Sequence, residues 1–169
     1  DDRENEVYFT PTHDDGENPD DLRWDLEGED LAAFLRTLST AARFRRFEHD
    51  FRHEDGDGIT VRRETIDDVE HLILTHGDLC EFLAKKDYLA SWKSEMHEKF
   101  CFYSHEEWCD ALRGAGFEIT AASRAVVNSW LLEHRFDPAG MVYVSTQEGM
   151  QRVTPPVTNT LLIARKPVI

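Results

Sequence analysis

Residues 104–120, SHEEWCDALRGAGFEIT, carry the clearest structural signal in the sequence. Ser104 and Glu107 have the spacing of a capping box, in which a serine hydroxyl and a glutamate carboxylate bind the amide groups left free where a helix begins. Gly116 is typical of a helix end, and residues 117–120 have the composition of a strand. The positions expected to face the core are Trp108, Ala111, Leu112 and Ala115. The stretch therefore predicts a helix that leads directly into a strand.

On the N-terminal side, the pattern predicts a short strand, a loop and one long helix. Residues 6–12 predict a strand that Pro11 stops, and residues 14–21, rich in Asp, Gly, Asn and Pro, predict a solvated loop. From Asp30 to Phe47, apolar residues recur at helical spacing, which predicts an amphipathic helix. Those apolar residues are Leu31, Phe34, Leu35, Leu38, Ala41, Ala42, Phe44 and Phe47.

The middle of the chain predicts a turn, a strand and a second helix. Residues 54–58, EDGDG, predict the turn, and the alternation of residues 59–63 predicts the strand. Asp67 is suited to cap a following helix, and Gly77 weakens that helix, so it can divide into two pieces. The inward positions of the helix would be Val69, Leu72, Ile73, His76, Leu79, Cys80 and Leu83.

Two apolar segments near the C-terminus predict further strands. Residues 141–145 follow a loop around residues 137–140. Residues 160–164, TLLIA, are apolar on nearly every position, and this composition fits a strand that is covered on both faces.

The charge of the chain is strongly acidic and unevenly distributed. The formal net charge is -15, and residues 1–30 contain thirteen acidic residues against Arg3 and Arg23, a net of -11. Duplex nucleic acid would be repelled by this balance, and no Lys/Arg-rich run with interleaved aromatic residues offers a local exception. The sequence therefore argues against a nucleic-acid partner.

Composition also bounds the class of protein. At 169 residues, 40% of them apolar, the chain has room for one ordinary domain, and it contains no apolar stretch long enough to cross a bilayer. Its three cysteines, Cys80, Cys101 and Cys109, form no disulfide framework or zinc motif, because their number is odd and their spacing is irregular. We expect a soluble, cytoplasmic protein with reduced thiols and no membrane partner.

Two segments resemble the end of class I S-adenosylmethionine-dependent methyltransferases. In that family a helix leads through "AGF" into the sixth strand, as in residues 104–119, and the last, antiparallel strand ends in "ARKP", as in residues 158–167. Residues 81–104 are similar to the cap of a bacterial and archaeal branch of the family, with "EFLAKKDY" at residues 81–88 followed by Trp92. The resemblance covers nearly the whole chain, loosely before residue 60 and well after residue 79.

The resemblance implies an α/β fold class, with an α+β appearance in this chain. We expect the C-terminal portion of a Rossmann-like methyltransferase fold, with a helical cap and antiparallel closing strands. Residues 1–30 would be an acidic, loosely structured lead, residues 31–103 the substrate-facing cap, and residues 104–169 the C-terminal helix and closing strands. The strands near Ile119 and Leu162 would be antiparallel in one sheet.

The same resemblance implies S-adenosylmethionine as cofactor and a small molecule as methyl acceptor. The family binds the cofactor on a glycine-rich turn after its first strand, whereas the nine glycines of this chain are scattered and residues 55–58 form only a turn. We therefore expect no cofactor-binding residue in this chain. An N-terminal methyltransferase half or a partner chain would supply that site, and the exposed edge of the sheet also allows a homo-oligomer.

Several residues are candidates for substrate contacts. Lys86, Asp87, Tyr88 and Trp92 would line a pocket, since a cap over a cofactor site offers aromatic walls and a few charges. Alternatively, Tyr88 and Trp92 are four residues apart and simply pack together. A second group follows the sixth strand, where the resemblance places residues near the substrate: Asn128, Trp130 and Arg135.

The candidates for acid/base and metal chemistry are weaker. Tyr103, His105 and His134 could act as general base in methyl transfer, although residues at a helix start or in a loop are commonly just solvated. His97 and Cys101 are four residues apart and could chelate a metal with His105, but no closing ligand can be identified. We therefore predict no metal site.

Three classes of function remain open. The chain can be the C-terminal part of a methyltransferase that works once a cofactor-binding half is supplied. It can be a non-catalytic interaction module that is derived from a methyltransferase. A metal-binding regulator is the third class, and it depends only on His97 and Cys101.

Overall fold

A five-stranded antiparallel sheet organises the described part of the chain, which comprises residues 6–53, 55–100, 103–153 and 159–167 of the computed structural model. The strands of the protein are β1 (Glu6–Pro11), β2 (Arg62–Ile66), β3 (Val69–Thr75), β4 (Glu118–Ile119), β5 (Arg124–Val126), β6 (Gly140–Thr146), β7 (Gly149–Val153), β8 (Asn159–Leu161) and β9 (Ala164–Arg165). The large sheet has the order β2-β3-β1-β6-β7, and β4-β9 and β5-β8 form two small antiparallel pairs. The expected mixture of helices and antiparallel strands is confirmed.

Six helices, a π-helix and a 3₁₀ turn accompany these strands in the described residues. They are α1 (Gly28–Thr37), α2 (Thr40–Asp50), α3 (His76–Lys85), α4 (Trp92–Glu95), α5 (His105–Gly114), α6 (Ser129–Leu131), a π-helix (Leu132–Phe136) and a 3₁₀ turn (Asp137–Ala139). Alternate residues of the central strands, such as Val7 and Phe9 of β1, share one buried core with the apolar faces of α1, α2 and α3. These helices therefore cover one face of the large sheet.

Four phenylalanines form the centre of this core. Phe9, Phe44, Phe47 and Phe82 are all fully buried. The ring centroids of Phe44 and Phe82 lie 4.9 Å apart, and those of Phe47 and Phe82 lie 5.4 Å apart, within the range of favourable aromatic packing. Because these residues come from β1, α2 and α3, the cluster fixes both helices on the sheet.

A buried polar network crosses the same core. The Arg46 Nε donates to the Asp50 Oδ2 at 2.6 Å, and the indole of Trp92 donates to the same oxygen at 2.8 Å. The Arg46 Nη1 also donates to the carbonyl of Leu22 at 2.8 Å, so α2, α4 and the chain before α1 are joined. Burial alone would raise the pKa of Asp50, but hydrogen bonds from Arg46, His49 and Trp92 outweigh it and hold the pKa below its ordinary value.

Gly140 allows β6 to approach β1 closely. A Cβ atom at this position would lie 2.3 Å from the carbonyl oxygen of Thr10 and 2.6 Å from the ring of Phe9. Pro11 is the antiparallel partner of Gly140, so the contact lies at the first register position of the β1–β6 pair. A larger residue would separate the two strands that form the middle of the sheet.

The local signals around α5 and β1 are confirmed. Ser104 accepts a hydrogen bond from the Glu107 amide while the Glu107 carboxylate accepts one from the Ser104 amide, and Gly116 has φ +86° after the helix. The segment 1–30, expected to be a loosely structured lead, contributes β1, which lies in the middle of the sheet.

The prediction of one helix from Asp30 to Phe47 is wrong. The helix is interrupted at Leu38, whose backbone is extended, and α2 begins anew with Ser39 as its cap. The Ser39 hydroxyl accepts a hydrogen bond from the Ala42 amide at 3.1 Å. This cap satisfies an amide that a continuous helix would bond internally, and it allows α1 and α2 to change direction.

The prediction of a helix capped by Asp67 is also wrong. Asp67 and Asp68 have φ of +50° and +62° and form the two-residue turn between β2 and β3, with Ile66 opposite Val69. Two positive φ values suit the twist of a tight hairpin, and Asp tolerates that conformation better than most residues. The helical positions that were expected at residues 69–75 are the strand β3, and α3 begins only at His76. The strand expected at residues 59–63 begins at Arg62.

The C-terminal segment is more exposed than its composition predicts. Ile119 pairs antiparallel with Ala164, as expected of these segments, but Leu162 lies between β8 and β9. Leu161 and Ile163 are 38% and 43% exposed, so the strand covered on both faces is not observed. On α5 the buried residue is Cys109, whereas Trp108 is exposed.

We predict that Asp50→Asn lowers the free energy of unfolding by about 3 kcal/mol, because the buried Arg46 guanidinium loses its counter-ion. The contribution of Asp50 is present above the ordinary carboxyl pKa and is lost as pH falls through the lowered pKa of the folded state. The wild-type and variant proteins should therefore differ less in acid. Urea unfolding at several pH values measures this difference. Asp110→Asn, in the exposed pair with Arg113, is the control and should change stability by less than about 0.5 kcal/mol.

Candidate functional site

One carboxylate at the C-terminal end of α3 is surrounded by three cations. The Asp87 Oδ2 accepts hydrogen bonds from the Lys86 Nζ at 2.8 Å and from the Arg135 Nε at 2.9 Å. The Asp87 Oδ1 lies 3.4 Å from an Nη atom of Arg43. We call Arg43, Lys86, Asp87 and Arg135 the Asp87 cluster. Three of its members were expected near substrate, and the fold brings them together with Arg43.

Each cation of the cluster is held by a different element. Lys86 is the C-terminal cap of α3 and directly follows its last residue. Arg43 extends from α2, and its Nε donates to the carbonyl of Leu35 in α1 at 3.1 Å. Arg135 belongs to the π-helix, and its Nη2 donates to the carbonyl of Ala84 at 3.2 Å. A π-helix is rare and is found frequently at functional sites, where it changes the direction of a side chain.

The electrostatics of the cluster favour an ionised Asp87. Burial would raise the pKa of Asp87, but hydrogen bonds and attraction from Lys86 and Arg135 hold it below its ordinary value. Burial lowers the pKa of Lys86, repulsion from Arg135 and Arg43 adds to this, and Asp87 opposes it. Three cations and one carboxylate leave an excess of two positive charges in a chain that is otherwise strongly acidic.

Two exposed aromatic rings lie beside the cluster. The Arg135 guanidinium is 5.4 Å from the centre of the Tyr88 ring, and the Phe100 ring packs edge-on against Tyr88 at 6.5 Å. Tyr88 and Phe100 are 42% and 47% exposed. Such a surface offers apolar contact immediately next to cations.

A buried ion pair positions Phe100. The Lys85 Nζ lies 3.0 Å from the Glu81 Oε2 and donates to the carbonyl of Glu95 at 2.8 Å. The Glu81 Oε1 accepts a hydrogen bond from the Phe100 amide at 2.8 Å, and Lys85 also lies 4.5 Å from the Phe100 ring centre. The segment after α4 is thereby fastened to α3.

The other substrate candidates are not in this cluster. Trp92 is 1% exposed and belongs to the buried network with Asp50, so its side chain supports the core. Asn128 caps α6 by accepting a hydrogen bond from the Leu131 amide, and it lines an open groove between β5 and β8. Trp130 is 57% exposed and stacks on His134, with ring centres 4.8 Å apart.

Of the three general-base candidates, His134 has the most suitable protonation pattern. Its Nδ1 is 3.0 Å from the carbonyl oxygen of Trp130, which can only accept, so the proton lies on Nδ1 and Nε2 is the basic nitrogen. His105 instead contacts Cys109 and Thr160. The Tyr103 ring packs on Trp108 with ring centres 5.0 Å apart.

A second histidine, not identified from the sequence, is held by a carboxylate at the opposite end of α3. The His53 Nε2 lies 3.2 Å from the Asp78 Oδ1, and the Thr75 hydroxyl donates to the other Asp78 oxygen at 2.8 Å. Asp78 is buried and the His53 side chain is one quarter exposed. The residues are 25 positions apart in sequence, and no local spacing indicated the pair.

The metal chemistry considered for His97 gains no support. Among residues 6–53, 55–100, 103–153 and 159–167, no three His, Cys, Asp or Glu residues form a group that could hold a metal ion. Cys101, its proposed companion, lies outside the described residues.

The described residues do not fit S-adenosylmethionine as the methyltransferase family binds it. That mode needs a glycine-rich turn between a strand and a helix. Within the described ranges, the strand that passes directly into a helix is β3, and Thr75 caps α3 there without a glycine turn, since Gly77 lies inside the helix. Gly56 belongs to a loop that leads to a strand, β2.

Comparisons of this chain with known protein families, with curated proteins and with solved structures gave no match. Among the described residues, no helix combines the length and the apolar character needed to cross a membrane.

We predict that Arg135→Gln raises the pKa of the Asp87 carboxyl towards its ordinary value, because one of the cations that stabilise the charged form is removed. Carbon-13 NMR titration of the labelled carboxyl measures this pKa. The variant should also lose the part of its stability that depends on ionised Asp87 at a higher pH than the wild type as the solution is acidified. Arg113→Gln, on the exposed side of α5, should leave the titration of Asp87 unchanged.

Proposed function

We propose that this chain is the acceptor-binding part of an S-adenosylmethionine-dependent methyltransferase that acts on a small molecule. The observation that carries the proposal is the meeting of Lys86, Asp87, Tyr88 and Arg135 at one place. The resemblance also implies a substrate-facing position for these residues, although 48 positions separate Asp87 from Arg135. A shared acceptor-binding site would explain why residues 86–88 and the distant Arg135 meet at one surface.

The role of the chain in this proposal is to bind and orient the acceptor. The cofactor would be held by another segment or by a partner chain, because the described residues do not fit it. Methyl transfer is a displacement that needs an in-line approach, so the position of the acceptor counts most. A general base is needed only where the acceptor must lose a proton, and the Nε2 of His134 is suited to accept one.

The exposed apolar residues of the C-terminal segment support the same proposal. Seven large apolar side chains between residues 104 and 167 are between 38% and 57% exposed: Trp108, Phe117, Val127, Trp130, Met141, Leu161 and Ile163. Exposed apolar groups concentrated in one segment are typical of a surface that meets another protein or domain. A cofactor-binding half that packs on the closing strands would cover them.

We expect this chain, together with the segment or partner chain that holds the cofactor, to transfer a labelled methyl group from S-adenosylmethionine to a small molecule in a metabolite extract. Mass spectrometry of the small-molecule fraction detects the labelled product. Arg135→Gln should lower kcat/KM at least tenfold through a higher KM, because the acceptor loses a cation of its site. Arg113→Gln is the matched control. Binding of S-adenosylmethionine without transfer to any small molecule would contradict the proposal.

The second candidate function is a non-catalytic interaction module, and the exposed C-terminal apolar residues favour it independently. Such a module would need these residues and a partner, but it would not need the Asp87 cluster. This function would be favoured if substitution of the exposed apolar residues abolished partner binding while Arg135→Gln changed the binding of no small molecule.

We predict that the isolated chain associates more strongly as salt rises, because salt screens the repulsion between acidic surfaces while the exposed apolar residues drive contact. Sedimentation velocity at low and high salt measures the association, and an environment-sensitive dye measures the exposed apolar surface. Trp130→Ser should reduce both signals, whereas Tyr143→Ser, on the large sheet, serves as the comparison variant. A compact monomer at both salt concentrations without dye binding would show that the segment needs no covering partner.

A further inference from the structure

The cations of the Asp87 cluster keep hydrogen-bond donors that the described part of the protein does not use. Arg43 uses its Nε and Nη1, and Arg135 uses its Nε and Nη2, which leaves one terminal nitrogen of each guanidinium without an acceptor among the described residues. The ammonium of Lys86 has three protons, and Asp87 is its one acceptor within those residues. The three cations themselves meet at one side chain, Asp87.

The charge excess is costly because the side chains are partly withdrawn from water. The side chain of Lys86 is 7% exposed, and those of Arg43 and Arg135 are 18% and 20% exposed. Like charges in such a place repel one another more strongly than they would in bulk water. A bound anion would offset this repulsion and accept the remaining hydrogen bonds.

The surroundings of the cluster restrict the class of anion. Exposed Tyr88 and Phe100 offer an apolar surface next to the guanidinium of Arg135, which suits an organic body attached to the charged group. The net charge of -15 repels polyanions at longer range. Planar guanidinium groups match the planar geometry of a carboxylate.

We propose that the Asp87 cluster binds the carboxylate of a small aromatic acid, whose ring lies against Tyr88 and Phe100. The identity of this acid as the methyl acceptor rests on the proposed function, whereas its binding to the chain does not. Arg43 and Arg135 hold the carboxylate, Lys86 adds the third positive charge, and Asp87 keeps the three cations in place while the site is empty.

Calorimetric titration of the chain with benzoate at low ionic strength tests the proposal. We expect saturable binding of benzoate that is at least fivefold tighter than binding of acetate, and no saturable binding of neutral benzyl alcohol. Arg135→Gln should weaken benzoate binding at least tenfold, whereas Arg113→Gln should leave it within twofold. Tyr88→Ala should weaken benzoate but not acetate, because only benzoate has a ring to lose contact.

Asp87→Asn supplies a test with the opposite sign. Removal of the competing carboxylate should tighten benzoate binding at least threefold, even though the folded protein becomes less stable, and circular dichroism checks that the variant is folded. A purely structural cluster would show no such gain. Unchanged or weaker binding in Asp87→Asn, or equal losses in Arg135→Gln and Arg113→Gln, would overturn the proposal.

Three further outcomes test the class of anion and separate this inference from the proposed function. Tighter binding of inorganic phosphate than of benzoate would overturn the carboxylate and identify a phosphate site. Binding of benzoate without any methyl transfer by the chain together with its cofactor-binding segment or partner would support the site and contradict the methyltransferase. Transfer to a neutral acceptor without binding of aromatic acids would do the reverse.

Discussion

Phe82 of α3 packs against Phe44 and Phe47 of α2, and this contact holds the two helices together. The helices run in opposite directions. The direction follows from the ends of the two helices, because Arg43 near the start of α2 meets Asp87 after the end of α3. At the other end, His53 follows α2 and meets Asp78 in the first turn of α3. The two candidate polar sites are therefore separated by the length of the helices, and the aromatic core between them determines both.

The segment EFLAKKDY combines structural and surface roles, because residues 81–86 are mostly buried and Asp87 and Tyr88 are exposed. Glu81 and Lys85 form a fully buried ion pair that fastens the chain around Phe100 to α3. Lys86 and Asp87 follow this ion pair, and the Asp87 carboxylate contacts Lys86, Arg43 and Arg135. A buried pair of this kind costs desolvation and is retained only where several hydrogen bonds compensate, as the carbonyl of Glu95 and the Phe100 amide do here. The fold thus uses one motif to place an aromatic ring beside a charged cluster.

The sequence predicted what local chemistry decides. The capping box of Ser104, the strand at residues 6–11 and the turn after α5 depend on neighbouring residues, and all are present. Thr75 and Asp78 carry a similar capping signal for α3, and it marks the helix start that the period of apolar residues from Val69 obscured. Over so short a stretch, the spacing of apolar residues fits both a helix and a strand. Pairing with β1 makes residues 69–75 a strand.

Which residues form the candidate site was harder to predict from the sequence, because the contacts join residues that are far apart in the chain. Arg43 joins Asp87 across 44 positions, and nothing near Arg43 distinguishes it from the other arginines of α2. Trp92 was expected to line a pocket as part of the cap, but its indole donates to Asp50, 42 positions earlier, and this partner makes it a core residue. A buried polar atom needs a partner wherever the fold can provide one, so long-range pairing decided which aromatic residue faces solvent.

Arg135 connects the two parts of the molecule that differ most in burial. The large sheet and its helices enclose a continuous apolar core, whereas the C-terminal segment around α5 exposes several large apolar side chains, among them Trp108 and Trp130. Arg135 belongs to the π-helix of that exposed segment, yet it donates to Asp87 and to the carbonyl of Ala84 in the core part. Because Arg135 is also one of the two guanidinium groups of the proposed anion site, the geometry of that site depends on how firmly the π-helix is held. A protein surface that covered the exposed residues beside the π-helix would therefore be coupled to the Asp87 cluster through Arg135.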